Sequence, residues 1–329
     1  MDFNTVRKRI FSIHSRGEFD DLAIAVFHLQ YEYNSLYRSF VDGLGVNIQA
    51  IDNPAKIPFL PVSFFKSHRV YGADQPEEVI FESSATTGSI PSRHFVADLA
   101  LYRESFRKGF SLVYGKAEDY VIIGLLPSYL ERKNSSLVFM VDDLVNQSSH
   151  AASGFYLYDH KALAHQLEET RQKGLKVILL GVGYALLDFT ESHPIKIPGA
   201  IIVETGGMKG RRQELIRDEL HGRLCQGFGV DAIHSEYGMT ELLSQAWSLA
   251  DGLFSCPPWM KVMIRDGNDP LSLLIPGLTG GINIIDLANL YSCSFIATDD
   301  LGRLHPDGTF EVLGRFDAAD VRGCSLMVS

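Results

Sequence analysis

The chain has 329 residues, enough for a large core and for about two domains, with 46% apolar and 21% charged residues. Its formal net charge is −10 and it has no long basic run, which argues against nucleic acid or an acidic membrane surface as the main partner. The four cysteines, Cys225, Cys256, Cys293 and Cys324, form no CxxC pair and have no histidines at finger spacing, so a structural zinc site is not expected. MDFNTVRKRIFSIHSRGEFDD has basic residues but no apolar segment behind them, and no apolar run reaches the roughly 18 residues of a membrane span. The expectation is a cytoplasmic protein with reduced cysteines and no signal peptide.

In chain order, Leu22, Val26, Leu29, Tyr33, Leu36 and Phe40 recur at spacings of three and four, which predicts one amphipathic helix from about Asp20 to Val41. Gly43 and Gly45 stop it. Prolines 54, 58 and 61 then exclude helix, so PAKIPFLPVSFF reads as an extended, pinned connection. FESSATTGSIPSRH (81–94) comes next. Its serines, threonines and glycine can turn backbone N–H groups and hydroxyls toward one point, a concavity suited to phosphate oxygens. Arg93 adds a planar charge for paired hydrogen bonds to an oxyanion. An ordinary Ser/Thr/Gly turn has the same composition, so the loop's neighbours must decide.

Asp98 can cap a helix running through Leu99, Tyr102, Phe106, Phe110 and Val113 to Gly115, so the loop is expected to feed a helix N-terminus. DYVIIGLLP (119–127), KVILLGV (176–182) and GAIIVETGG (199–207) are continuous apolar runs, hence strands buried on both faces. Helices are predicted around Ser136–Val145 and Lys161–Lys173, and before Cys225 with Ile216, Leu220 and Leu224 on one stripe. AIHSEYG (232–238) is a further short strand. Alternating buried strands and helices imply an α/β fold with a mainly parallel sheet flanked by helices, and ligands at the carboxyl ends of its strands. After about Phe254 the pattern changes to short β segments, read as a small β subdomain over 255–315. The expected division is 1–254 as the α/β core, 255–315 as the β subdomain, and 316–329 as a hinge-like tail.

Four short elements now stand in order: SSATTG (83–88), GGMKG (206–210), YGMTE (237–241) and ATDDLGRLHPDGTFEVLGRFD (297–317). Together they resemble the adenylate-forming enzymes, the superfamily of acyl-CoA synthetases and luciferases. The resemblance implies ATP and Mg²⁺ as cofactors. It implies that Ser83, Ser84, Thr86, Thr87 and Gly88 bind nucleotide phosphates, and that Gly206, Gly207 and Met208 lie against the adenine. Tyr237 and Gly238 would follow at the adenine ring, Thr240 would touch phosphate, and Glu241 would hold Mg²⁺. Asp300 would accept from the ribose hydroxyls, with Arg315 beside the hinge. Each role suits its side chain: a flat ring for a base, a carboxylate for a diol or a hard cation.

Within the superfamily, IPFLPVSFFKSHRV, SSATTGSIPSRH, LLPSYLERKNSSLVFMVDDL, CPPWMKVMIRD and RGCSLMV are similar to LuxE-type acyl-protein synthetases over roughly Leu22 to Val328. That likeness implies a fatty acid, or another carboxylic acid, activated as acyl-AMP. The acyl group would then pass to Cys324 and on to a partner protein, reductase-like or a carrier. Relatives continue past the hinge into a lysine-bearing domain. This sequence ends twelve residues after Asp317, so that domain is expected to be absent. Ala85 and Asp299 replace usual glycines; where the loop needs positive φ, alanine costs about 1 kcal/mol. Two other readings stay open: a ligase that passes its acyl or aryl group to a small thiol, amine or carrier protein, and a non-catalytic nucleotide- or acyl-binding scaffold. Cys225, Cys256 and Cys293 read as structural, His94 and His234 as hydrogen-bonded framework groups, and Lys66 as solvated, the alternative being a partner for the substrate carboxylate.

Overall fold

The structure is a computed structural model that describes residues 1–84, 90–127, 131–206 and 215–316. The described residues divide into two compact units. One comprises 1–105, 240–244 and the described residues from 255 onward; the other comprises 106–239 and 245–254. The β segments expected at 255–315 are present, and they belong to the same unit as the first 105 residues.

The first unit opens with α1 (Phe3–Arg9), α2 (Arg16–Tyr33) and α3 (Ser35–Gly43). The single helix expected over 20–41 is therefore two. Asn34 leaves the helical region at φ −96° and ψ 97°, caps α3 by accepting from Tyr37 N, and donates from its buried amide to Ser292 O at 2.8 Å. The apolar spacing runs unbroken through this point, so periodicity alone hides the break. A capping box between Ser15 and Glu18 starts α2, and Phe19, Leu22, Ala23, Val26 and Phe27 form its buried stripe.

The proline-pinned connection is not wholly extended. Pro54 opens a 3₁₀ turn over Pro54–Lys56, followed by β1 (Leu60–Pro61) and the short α4 (Phe64–Ser67). Proline is tolerated at a first helical position because its missing N–H would be unpaired there. Next, β2 (Val79–Glu82) and β3 (Arg93–Val96) pair antiparallel, with Glu82 opposite Arg93. The Ser/Thr loop thus joins two strands rather than feeding a helix N-terminus; β3 stands between them. The helix that follows, α5 (Leu99–Tyr114), is capped by Asp98, whose Oδ1 accepts from Leu101 N at 2.8 Å, and Gly115 ends it at φ +84°.

The second unit carries β4 (Val121–Leu125), α6 (Ser136–Ser148), β5 (Gly154–Phe155), α7 (His160–Gln172), β6 (Val177–Gly181), α8 (Gly183–Ser192), β7 (Ile201–Thr205), α9 (Arg217–Phe228), β8 (His234–Tyr237), β9 (Ala246–Ser248) and β10 (Leu253–Phe254). Its sheet runs β5-β4-β6-β7-β8-β9, parallel from β5 to β8 and antiparallel at β9. Every residue of β4 and β6 is buried, which matches the continuous apolar runs. Two expectations need correction. Helix α8 has no counterpart in the sequence reading. Ile216 is exposed and precedes α9 rather than joining the buried Leu220 and Leu224.

The chain returns to the first unit with β11 (Met260–Arg265), β12 (Thr279–Asp286), β13 (Phe295–Leu304) and β14 (Phe310–Arg315), an antiparallel series. Strand β1 pairs parallel with β13. Among the described residues no helix is long and apolar enough to cross a membrane.

Candidate functional site

In the first unit, the Ser/Thr loop is closed at its base by a reciprocal pair. Ser83 N donates to Ser92 O at 3.0 Å, and Ser92 N donates to Ser83 Oγ at 2.9 Å. The Ser92 side chain also hydrogen-bonds the carboxyl of Glu241. Glu241 is 6% exposed, and burial raises its pKa against the pull of Ser92, Lys66 and Arg315. Glu241 is the hard oxygen donor here that could share a small cation with phosphates, and among the described residues no group of three or more His, Cys, Asp or Glu is placed to hold a metal ion by itself.

Arg315 lies directly across the β13–β14 ladder from Asp300, its Nε 3.6 Å from Asp300 Oδ1. The Asp300 side chain is 14% exposed and that of Arg315 is 78% exposed. The carboxylate is therefore largely enclosed while the guanidinium stands in solvent. Ser83, Glu241, Asp300 and Arg315, which are far apart in sequence, thus belong to one unit together with Lys66. Arg93 is exposed at the start of β3, its guanidinium carbon 5.7 Å from the centre of the Phe95 ring. Ser84 is exposed at the edge of the loop.

Thr240 begins the segment that carries Glu241. Its carbonyl accepts from His94 Nδ1 at 2.9 Å, and His94 Nε2 lies 2.7 Å from Ser292 Oγ. Burial pushes His94 down to about 4, so the ring is neutral at physiological pH, donating to Thr240 and accepting from Ser292. His94 is thus a framework group.

In the second unit, Gly206 follows β7 at φ +67°, a backbone conformation that a side chain would strain. Tyr237 ends β8, 9% exposed, its ring edge-on to Phe254 at 5.8 Å between centroids. A Cβ at Gly238 would overlap Glu236 Oε1, so a larger residue there would require the Glu236 carboxyl to shift. His234 Nδ1 meets the Tyr114 hydroxyl at 3.1 Å, again a framework contact. Thr86, Thr87, Gly88, Gly207, Met208 and Cys324, together with Ala85, lie outside the described residues.

Sequence reasoning missed four residues here. Ser92 was visible only as part of PSRH. Asp286 and Asn289 are polar residues in the apolar run INIIDLANL, and that mismatch is the signal that could have found them. Glu236 is the fourth. Burial pushes its carboxyl up to about 7, despite the hydrogen bond from Thr205 Oγ1 at 2.5 Å.

The raised Glu236 pKa makes a prediction. The folded state binds a proton more tightly than an unfolded glutamate does, so this stabilisation is complete below about pH 4.5 and is lost as pH rises through about 7. Glu236→Gln is expected to remove that dependence. Urea denaturation at pH 5 and pH 8 should show the wild type losing stability relative to the variant by as much as about 3 kcal/mol. An unchanged difference between the two pH values would contradict the assignment.

Residues 15–329 match the family model of the LuxE acyl-protein synthetases. No curated protein sequence matches. Among solved structures, ATP-bound MatB from Rhodopseudomonas palustris superposes with a TM-score of 0.56 at 17% identity, covering 74% of this chain and 50% of that one. 2-Hydroxyisobutyryl-CoA ligase, in an open conformation with 2-HIB-AMP and CoA, gives 0.66 at 10% identity, covering 94% and 78%. The same ligase in its thioesterification state gives 0.67 at 12%, covering 94% and 71%. The chain spans about half the length of MatB. At these identities the structures establish the fold, that of the adenylate-forming ligases, while the family match covers nearly the whole sequence. The chain belongs to the LuxE acyl-protein synthetase family.

Proposed function

We propose that this protein activates a fatty acid, or another carboxylic acid, with ATP and then carries the acyl group on Cys324 before passing it to a partner protein. A carboxylate is a poor electrophile. In the first step its oxygen attacks the α-phosphorus of ATP; a new P–O bond forms, the bond to the bridging oxygen breaks, and pyrophosphate leaves. The protein's share is positioning and charge neutralisation. Ser83, Ser84, Thr86, Thr87 and Gly88 cradle phosphate oxygens, Thr240 adds a hydroxyl, and Arg93 and Arg315 supply positive charge. Gly206, Gly207, Met208, Tyr237 and Gly238 receive the adenine, and Asp300 accepts from the ribose hydroxyls. Glu241 would hold Mg²⁺, which when bound neutralises phosphate charge.

In the second step the Cys324 thiolate attacks the acyl carbonyl. A C–S bond forms, the bond to the phosphate oxygen breaks, and AMP leaves. Arg322, two residues away, favours the thiolate. The observation that carries the reading is the grouping of Ser83, Ser92, Glu241, Arg315 and Asp300 in one unit. It gathers hydroxyls, a desolvated carboxylate and cations in a protein of net charge −10. Fatty-acid-dependent exchange of radiolabelled pyrophosphate into ATP tests the first step. Exchange above background is expected with the acid present, and its absence across a range of aliphatic and aromatic acids would refute the reading.

A further inference from the structure

The segment Thr240–Ser244 has no regular secondary structure, yet most of it is buried. Such a segment must dispose of its backbone polar groups, and here side chains of its own unit receive them. Asp286 is fully buried. Its carboxylate accepts from Leu243 N at 2.9 Å, Ser244 N at 2.9 Å, Ser244 Oγ at 2.6 Å and Ala288 N at 3.0 Å. Asn289 is also fully buried and uses both ends of its amide. Its Oδ1 accepts from Leu243 N at 3.0 Å, and its Nδ2 donates to Glu241 O at 2.7 Å and to Cys293 O at 3.0 Å.

The grip is itself braced. Gln30 Nε2 donates to Asn289 O and Leu290 O, each at 3.0 Å. Trp259 Nε1 donates to Ser244 Oγ at 3.0 Å. Burying a carboxylate and an amide is costly unless every polar atom finds a partner, and here they do. Apart from those of the Ser244 hydroxyl, the contacts to the segment fall on the main chain of residues 241, 243 and 244, with His94 on 240. None of these side chains reaches the Glu241 carboxyl, which meets Ser92, its own backbone N–H and the nearby cations.

We propose that Asp286 and Asn289 are positioning residues that fix the backbone around Glu241, so that its carboxylate is presented for the metal ion of a metal–nucleotide complex. This rests on the adenylation reading above. The test is Asn289→Ala, which takes away the donor to the Glu241 carbonyl and one of the two acceptors of Leu243 N. Manganese bound in the presence of a non-hydrolysable ATP analogue is measured by electron paramagnetic resonance, and binding of the same analogue is measured in EDTA. The expected result is a 10–100-fold loss of nucleotide-dependent manganese affinity, with metal-free analogue binding changed less than twofold. Ile284→Val, on the strand that ends at Asp286, provides a mild loss of stability and is expected to bind manganese as the wild type does.

Should Asn289→Ala fail to fold, Asp286→Asn keeps the side-chain volume and one accepting oxygen, and is expected to shift manganese affinity in the same direction. Manganese binding within twofold of wild type in the positioning variant would overturn the proposal, as would an equal loss in Ile284→Val. A wild type that binds the analogue but never manganese would instead withdraw the Glu241 assignment on which it stands.

Discussion

Cys324→Ser is expected to abolish hydroxylamine-labile acylation of the protein while leaving fatty-acid-dependent pyrophosphate exchange within about twofold of wild type. The two steps separate because activation needs no thiol, whereas capture needs a thiolate, and a serine hydroxyl is almost never ionised at neutral pH. The other cysteines do not suit the role. Burial pushes the thiols of Cys256 and Cys293 up to about 12 and also raises that of Cys225. All three are therefore protonated near pH 7. Labelling with a tritiated fatty acid, followed by denaturing electrophoresis and hydroxylamine treatment, checks the prediction. A label that survives the substitution would mean that another residue is the acceptor.

Glu241→Gln is expected to lower pyrophosphate exchange by a factor of 10² to 10³ without loss of stability. The amide keeps an acceptor for Ser92 but loses the charge proposed to hold the metal. Burial raises the Glu241 pKa, so the folded protein tolerates the charge on this side chain less well than water does. A neutral near-isostere should leave the melting temperature unchanged or slightly higher. Exchange assays and thermal melts on the same preparation check both halves. Exchange within threefold of wild type would remove Glu241 from the metal site, and a large drop in melting temperature would point to a structural role instead.

Much of the α/β unit was legible because its strands are buried on both faces. The runs at 121–125, 177–181 and 201–205 needed no partner information to read as strands. Helix α5 was legible from its ends, since Asp98 and Gly115 act locally. What the sequence hid depends on distant partners. Asn34 breaks a periodic helix because its amide is taken by Ser292, more than 250 positions away. Residues 240–244 sit within a stretch otherwise belonging to the second unit, but their hydrogen bonds go to Asp286 and Asn289 in the first. Nothing local marks that exchange. The Ser/Thr loop was identified by composition, yet its placement between β2 and β3 required the pairing of Glu82 with Arg93. For the site, the family resemblance of the four short elements suggested Glu241, Asp300 and Arg315, while Ser92 became visible only when the loop closed on Ser83.

The central claim is that activation and capture occur on one chain, with the acyl group ending on its own sulfur. An intact-mass spectrum of the wild-type protein after incubation with ATP, Mg²⁺ and a mixture of fatty acids tests this most directly. The account predicts a single added acyl mass that depends on ATP and is removed by hydroxylamine. A protein that remains unmodified while acyl-AMP accumulates in the reaction would contradict it.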